Sequence, residues 1–134
     1  MKIIEVIDKI RHFHGWLDYS RFDKVLYGDA EQECTGVATT CCATGEAIRK
    51  AAAKGCNLLV CHEDLFFNSF DDPILVEGVA LVELKKKVLE ETGVVVWRDH
   101  DHMHGNPNRP FGGPGGPGKP GAKLDFKRIP FKNE

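Results

Sequence analysis

A chain of 134 residues, 42% of them apolar, is long enough to form one small domain with a buried core. Its formal net charge of −2 offers no basic surface of the kind that binds nucleic acid, so that class of function is excluded. No apolar run has the length of a membrane span, and the charges within residues 1–13 argue against a secretory signal. We therefore predict a cytoplasmic protein that binds neither nucleic acid nor membrane.

The predicted elements alternate between helices and strands. A helix over residues 2–14 places Ile3, Ile4, Ile7 and Ile10 on one face, and Gly15 ends it. The later elements follow in order: a short strand at 24–27, a buried strand at 35–41, a helix at 47–54, a strand at 57–61, a helix at 72–92 and a strand at 94–97. This alternation predicts an α/β fold in which a mainly parallel or mixed sheet carries helices on its faces.

The ends of the two later helices carry recognisable signals. Thr44 is predicted as an ordinary N-cap, in preference to a phosphate site at the same helix start, and Gly55 ends that helix. Asp72 and Pro73 predict the start of the next helix, and Gly93 its end. The core side of this last helix is predicted to comprise Leu75, Val79, Val82 and Leu89.

The composition changes at Gly105. The segment that follows is mostly glycine and proline, a composition that cannot form a helix or a sheet ladder. We predict a folded domain over residues 1–104 and a flexible tail over residues 105–134.

The odd number of cysteines and the lack of a C-x-x-C pair argue against a disulfide framework or a cysteine zinc site. Most of the thiols lie inside apolar runs, so we predict buried, reduced thiols. They are Cys34, Cys41, Cys42, Cys56 and Cys61.

Two polar clusters follow predicted strands. His62 and Glu63 come directly after the strand at 57–61, and His100 comes shortly after the strand at 94–97. Ligands of open α/β sheets bind at the carboxyl ends of strands, so these clusters converge if the two strands are close together. Histidine and carboxylate ligands suit zinc, iron, manganese or nickel. The sequence therefore predicts a site for a divalent transition metal, with a solvated histidine-rich loop as the alternative.

The segment from His100 to His104 has two possible conformations. If it is helical, His100 and His104 point the same way, because they are four residues apart. If it is extended, His102 shares a face with both of them. His12 and His14 are interpreted as favourable residues at the end of the first helix.

Three stretches resemble a known family, the Nif-three-like dinuclear metal proteins, also called type 2 homologues of GTP cyclohydrolase I. DKVLYGD, residues 23–29, resembles the family's D-N-x-G-L-x-x-G-D. NLLVCHEDLFF, residues 57–67, resembles A-D-L-L-I-x-H-H-P-L-x-F, and VVVWRDHDHMH, residues 94–104, is similar to Y-x-x-H-T-N-x-D. The resemblance covers residues 1–104 and implies the N-terminal half of the family's fold.

The resemblance also implies roles for four residues. His62 stands at the first histidine of the family's His-His pair and Glu63 at the second, while His100 and His104 stand at the His and the Asp of H-T-N-x-D. All four are implied as metal ligands, with Glu63 as ligand or general base. The family completes a two-metal site with a His-x-x-x-Glu pair in its second half, and no histidine follows His104 here.

The implied activity is metal-dependent hydrolysis of a nucleotide such as GTP, in a homo-oligomer of between two and six copies. The alternative is a non-enzymatic module that binds metal or a partner subunit.

Overall fold

The computed structural model describes residues 1–14, 20–68, 72 and 76–104. The predicted flexible tail, the predicted helix end at Gly15 and the predicted core residue Leu75 lie outside these residues. No helix of the described ranges is long and apolar enough to span a membrane.

The described part of the chain contains four helices and four strands in the predicted alternation. The helices are α1 (Ile3–His14), α2 (Gly45–Ala53), α3 (Ala80–Thr92) and the single turn α4 (Asp101–His104). The strands are β1 (Val25–Tyr27), β2 (Val37–Thr40), β3 (Leu58–Cys61) and β4 (Val95–Arg98). The predicted α1 and all four predicted strands are confirmed within a few residues at their ends.

The strands form one mixed sheet in the order β1-β4-β3-β2. β3 runs parallel to both β2 and β4, whereas β1 pairs with β4 in the antiparallel direction. The α/β fold with a mixed sheet and helices on its faces is thus confirmed. Because β3 and β4 are parallel neighbours, the residues that follow them emerge at the same edge of the sheet.

The core is divided between the two faces of the sheet, since successive side chains of a strand point to opposite faces. On one face α1 packs through Ile3 and Ile7 against Leu58, Val95 and Trp97. On the other face α2 and α3 pack against Leu59, Cys61 and Val96, with side chains that include Ile48, Ala51, Val82 and Leu89. The central strands β3 and β4 are therefore fixed from both sides.

The predicted start of α2 is confirmed. The Oγ1 atom of Thr44 accepts a hydrogen bond from the amide of Ala47 at 3.1 Å, which satisfies one of the amide groups that a helix start leaves unpaired. Thr44 is thus the N-cap that the sequence predicts.

The prediction that the strand at 35–41 is buried is wrong. β2 lies at the edge of the sheet, and exposed side chains alternate with half-buried ones along it. Val37, for example, is 43% exposed. Its β-branched residues indicate a strand correctly, but they do not distinguish a central strand from an edge strand.

The predicted start of α3 is also wrong. The helix begins at Ala80 rather than at Asp72, and Gly78 adopts the left-handed conformation, with φ of 79°, just before it. That conformation cannot be part of an α-helix, so it separates the helix from the preceding segment. Val79 is consequently exposed, whereas Val82 and Leu89 are buried as predicted. Gly93 caps the helix with a left-handed φ of 67°, as predicted.

The prediction of buried thiols holds for Cys61 alone. All five cysteines are free, but Cys34 and Cys56 are half-buried, and Cys41 and Cys42 are exposed. The exposure of the last two follows from the edge position of β2, because both residues lie in the turn that leads from this strand to α2.

Gly28 is expected to tolerate no side chain. It follows β1 with φ of 94°, and a Cβ atom there would lie 2.9 Å from the Cγ2 atom of Val95. Replacing Gly28 with alanine should lower the free energy of unfolding by about 2–4 kcal/mol, from backbone strain and overpacking together. Urea denaturation measures this change.

Gly55 provides the matched control for this substitution. Its φ is 76°, but a Cβ atom there meets nothing within 4 Å. Gly55→Ala should therefore cost only the backbone strain, about 1 kcal/mol. Equal losses in the two variants would contradict the steric explanation.

Candidate metal centre

The predicted ligands meet at the carboxyl end of the sheet. β3 ends at Cys61, which pairs in register with Arg98 at the end of β4. His62 follows β3 directly, and His100 lies two residues beyond β4. α4 then turns the chain through one helical turn, closed by a hydrogen bond from the His104 amide to the His100 carbonyl at 3.1 Å. The helical alternative for this segment is thus the one the structure contains.

The rings of His62, His100 and His104 form a compact triangle. The ring centroids of His62 and His100 are 4.5 Å apart, and each is 4.8 Å from the ring centroid of His104. One nitrogen atom of each ring lies within 4.8 Å of a nitrogen of the other two. The Nε2 atoms of His62 and His104 are 3.0 Å apart. Three of the four predicted ligands are therefore brought together.

The fourth predicted ligand, Glu63, is not in this group. Among the described residues, neither group of side chains that could hold an ion includes its carboxylate. Glu63 follows His62 directly, and its amide donates to the Cys41 carbonyl at 2.9 Å. Its role as ligand or general base stays a prediction.

Hydrogen bonds orient two of the rings. The Nδ1 atom of His62 is 3.1 Å from the backbone carbonyl oxygen of Asp99, which can only accept, so this nitrogen carries the proton and donates it. The Nδ1 atom of His100 is 2.9 Å from the Oδ1 atom of Asp101. In neutral rings held in this way, both Nε2 atoms keep a lone pair for a ligand.

Asp101 is ionised, so it accepts the His100 proton rather than donating one. Burial raises the pKa of its carboxyl, but hydrogen bonds from Ser20 and His100 outweigh burial, and the pKa is lowered overall. Ser20 donates to the Oδ2 atom at 2.6 Å. Sequence reasoning missed this partner, because Ser20 lies 81 residues from Asp101.

His104 is also prepared to act as a neutral ligand. Burial lowers its pKa, and the nearby rings of His100 and His62 lower it further. A lower pKa keeps the imidazole neutral at physiological pH, and only the neutral ring has a lone pair for a metal ion.

The buried carboxylate of Asp23 holds α4 in place. Both oxygens of Asp23 accept hydrogen bonds from backbone amides: Oδ1 from His100 at 2.9 Å and Asp101 at 2.8 Å, Oδ2 from His102 at 2.8 Å. Its Oδ2 atom also makes a short hydrogen bond with the ring of His102, whose side chain is buried. Asp23 therefore fixes the backbone that carries His100 and His104.

This supporting role of Asp23 was missed in the sequence. Asp23 opens the DKVLYGD stretch that carries the family resemblance, which is the one signal that could have found it. Because Asp23 holds α4 in this orientation, His100 and His104 point towards His62, while His102 points into the protein.

Asp23, Asp99 and His102 form a second group whose ligand atoms lie within 4.8 Å of one another. A carboxylate offers about four acceptor positions, and hydrogen bonds already use all four at Asp23. The Oδ2 atom of Asp99 pairs with the Nε2 atom of His14 at 2.8 Å. We interpret this group as the hydrogen-bonded support of the site, not as a second ion site.

His14 thus does more than favour the end of α1. Its pairing with Asp99 ties the helix end to the segment after β4, across 85 residues of sequence.

A cavity of about 520 Å³ opens beside the histidine triangle. His62 and His104 form part of its wall, together with Cys41, Cys61 and Met103. No lysine or arginine lines it among the residues that the structure describes. The histidine triangle therefore faces a space large enough for a small molecule, with a mainly apolar surface.

Comparison with known proteins identifies the family. The family model of Duf34/NIF3 (NGG1p interacting factor 3) matches residues 1–87. No curated protein matches the chain significantly.

Solved structures share the fold. Reduced HcgD from Methanocaldococcus jannaschii is 22% identical with a TM-score of 0.63, over 83% of this chain and 44% of its own. Protein SA1388 from Staphylococcus aureus is 24% identical with a TM-score of 0.62, over 84% of this chain and 36% of its own. A Bacillus cereus protein related to NIF3 is 15% identical with a TM-score of 0.62, over 78% of this chain and 28% of its own.

This chain spans less than half the length of each of these structures. At identities below 25%, these structures show a shared fold only. The family model, in contrast, matches residues 1–87, which is more than half of the chain. The chain belongs to the Duf34/NIF3 (NGG1p interacting factor 3) family.

Proposed function

We propose that the chain binds one divalent transition-metal ion through the Nε2 atoms of His62, His100 and His104. The observation that carries this proposal is the way the rings are held. His62 donates its Nδ1 proton to a backbone carbonyl and His100 donates its own to a carboxylate. Metal-binding histidines in proteins are oriented in this manner, because such partners fix the tautomer and the ring position.

The close approach of the ring nitrogens fits the same proposal. The 3.0 Å between the Nε2 atoms of His62 and His104 is near the spacing of two nitrogens that share one ion, about 3.4 Å for tetrahedral zinc. Three imidazoles suit zinc, iron or nickel, whereas manganese prefers oxygen ligands. Of the four metals predicted from the sequence, manganese is therefore the least suited to the triangle.

The cavity beside the triangle supports a hydrolytic function for the bound ion. Such an ion, when bound, supplies Lewis acidity to a substrate and makes water a nucleophile at neutral pH. The residues of the cavity wall would hold the substrate. Glu63 is the candidate general base. We propose a nucleotide or a similar small molecule as substrate, with its neutral part in the cavity, since no described cation lines the wall to receive phosphates.

A non-enzymatic metal-binding or subunit-interaction module is the second candidate. It is favoured by the position of Glu63, the candidate general base, which belongs to neither group of described side chains that could hold an ion. Metal-dependent turnover of GTP by the purified protein would separate the two functions, because the module would bind metal without turnover.

Metal analysis of the untagged protein tests the proposed site. We expect one zinc ion per chain after incubation with zinc and gel filtration. Cobalt in place of zinc should give the intense visible absorption of tetrahedral coordination, because three ring nitrogens and one open position suit that geometry. Protein that emerges free of metal from the column would contradict the proposal.

We further propose that the chain self-associates, as a dimer or a larger homo-oligomer. Two exposed surfaces support this proposal: the edge strand β2, and the apolar side chains Leu81 and Leu84 of α3, which are 65% and 61% exposed. Exposed apolar surfaces and free strand edges favour association.

Sedimentation measures the association. The wild-type protein should sediment as a dimer or larger, and replacing Leu81 and Leu84 with lysine should shift it towards the monomer. Gel filtration with light scattering provides a second measurement of mass. A wild-type protein that stays monomeric and folded at high concentration would contradict self-association.

A further inference from the structure

Cys41 and Cys42 are adjacent, exposed thiols in the turn that leads from β2 to α2. The Cys42 side chain is the largest cause of the raised pKa of the Cys41 thiol, because a hydrogen bond that the Cys41 thiol donates to it favours the protonated form. Cys41 also lines the cavity beside the histidine triangle, so a small molecule that enters the cavity reaches this thiol.

The peptide unit between these two cysteines holds the loop that carries His62. Its carbonyl oxygen, that of Cys41, accepts hydrogen bonds from the amides of His62 at 3.0 Å and Glu63 at 2.9 Å. The next carbonyl, that of Cys42, accepts from the amide of Thr44 at 2.9 Å. The position of His62 therefore depends on the orientation of the Cys41–Cys42 peptide unit.

A disulfide between adjacent cysteines would change this orientation. Consecutive Cα atoms are about 3.8 Å apart across a trans peptide, below the range of about 4.4–6.8 Å that disulfides usually span. The ring also contains the Cys41–Cys42 peptide unit itself. Closing the ring therefore requires this unit to twist, and its carbonyl then turns away from the two amides.

We propose that Cys41 and Cys42 form a reversible disulfide that loosens the His62 loop and thereby weakens metal binding. The first part, disulfide formation and release of the loop, stands on the thiol pair and the Cys41 carbonyl. The second part, the weaker metal binding, rests on the proposed function. The oxidation state of the two thiols would thus control how much metal the site holds.

A low-molecular-weight disulfide such as glutathione disulfide supplies the oxidising equivalents. One cysteine thiolate attacks a glutathione sulfur, the S–S bond of glutathione disulfide breaks, and one glutathione thiolate leaves. The second cysteine thiolate then attacks the mixed disulfide and displaces the second glutathione. The two cysteines are oxidised and glutathione disulfide is reduced to two glutathione thiols, which take up the two protons that the cysteines lose.

The experiment treats the full chain with glutathione disulfide and makes four measurements. Intact mass should fall by two hydrogen atoms, and peptide mapping should place the new bond between Cys41 and Cys42. Hydrogen exchange at the amides of His62 and Glu63 should become faster in the oxidised protein. Zinc competition should show an affinity about tenfold lower than in the reduced protein, the usual loss when a support of a metal ligand is removed.

Two variants serve as controls. Cys42→Ser cannot close the ring and should keep its reduced-state amide exchange and zinc affinity after treatment. Cys34→Ser, at a half-buried thiol, should behave like the wild type.

Each outcome decides part of the proposal. A bond from Cys41 to Cys61, or no bond at all, would overturn it. A Cys41–Cys42 bond with unchanged amide exchange would overturn the link to His62. If the reduced protein bound no zinc, the proposed function would fail, while mass and amide exchange would still decide whether the disulfide forms and loosens the loop.

Discussion

Replacing both His62 and His100 with alanine is expected to abolish stoichiometric metal binding. The two substitutions remove two of the three ring nitrogens and leave His104 alone, and one imidazole does not hold an ion through gel filtration. The fold should survive, because neither ring is part of the two core clusters. The loss of their side-chain hydrogen bonds should cost about 1 kcal/mol each. Metal analysis and urea denaturation measure the two effects.

His12→Ala is the matched control for this double variant. His12 is exposed on α1, with its ring against the carbonyl of Asp8, and is in neither candidate ligand group. It should retain one ion per chain. Unchanged metal content in the double variant would show that the ion lies elsewhere.

Asp23→Ala should cause the largest loss of stability among substitutions near the site. It leaves three backbone amides and the ring of His102 without their acceptor, and the side chain it removes is fully buried. Removing one partner from a buried charged network costs about 3–5 kcal/mol. Zinc affinity should fall by about 10–100-fold as well, because α4 no longer holds His100 and His104 in place. Urea denaturation and zinc competition measure these effects.

Asp23→Asn keeps the size of the side chain and one acceptor oxygen, so it should fold even if the alanine variant does not. Its zinc affinity should lie between those of the wild type and Asp23→Ala. Asp29→Ala, an exposed aspartate of the same segment, should change the zinc affinity little. Wild-type zinc affinity in Asp23→Asn and Asp23→Ala would contradict the supporting role.

Local patterns in the sequence predict the strands and the place of the site well. The apolar runs that contain β3 and β4 lie where the sequence places them, and the polar residues after them meet as expected. Sheet position is not local, however. Whether a run of β-branched residues is central or at an edge depends on the order of strands in space, so the exposure of β2 and of Cys41 was missed.

The support of the site was hidden for a related reason. The contacts of Asp23 with α4 join residues 77 to 79 positions apart, and that of His14 with Asp99 joins residues 85 apart. Spacing can show that His100 and His104 share a face if the segment is helical. It cannot show that a distant carboxylate makes the segment helical. The choice between a helical and an extended conformation for residues 100–104 therefore depends on the three-dimensional structure.

The outward and inward positions of α4 should differ in the substitutions that they accept during evolution. Its outward positions, 100 and 104, face the proposed ion site and solvent, so imidazole and carboxylate can replace one another there as the available metal changes. Its inward position, 102, is locked to position 23 by a hydrogen bond inside the protein. Substitutions at positions 100 and 104 should therefore occur independently of each other. Positions 23 and 102, in contrast, should change together or not at all.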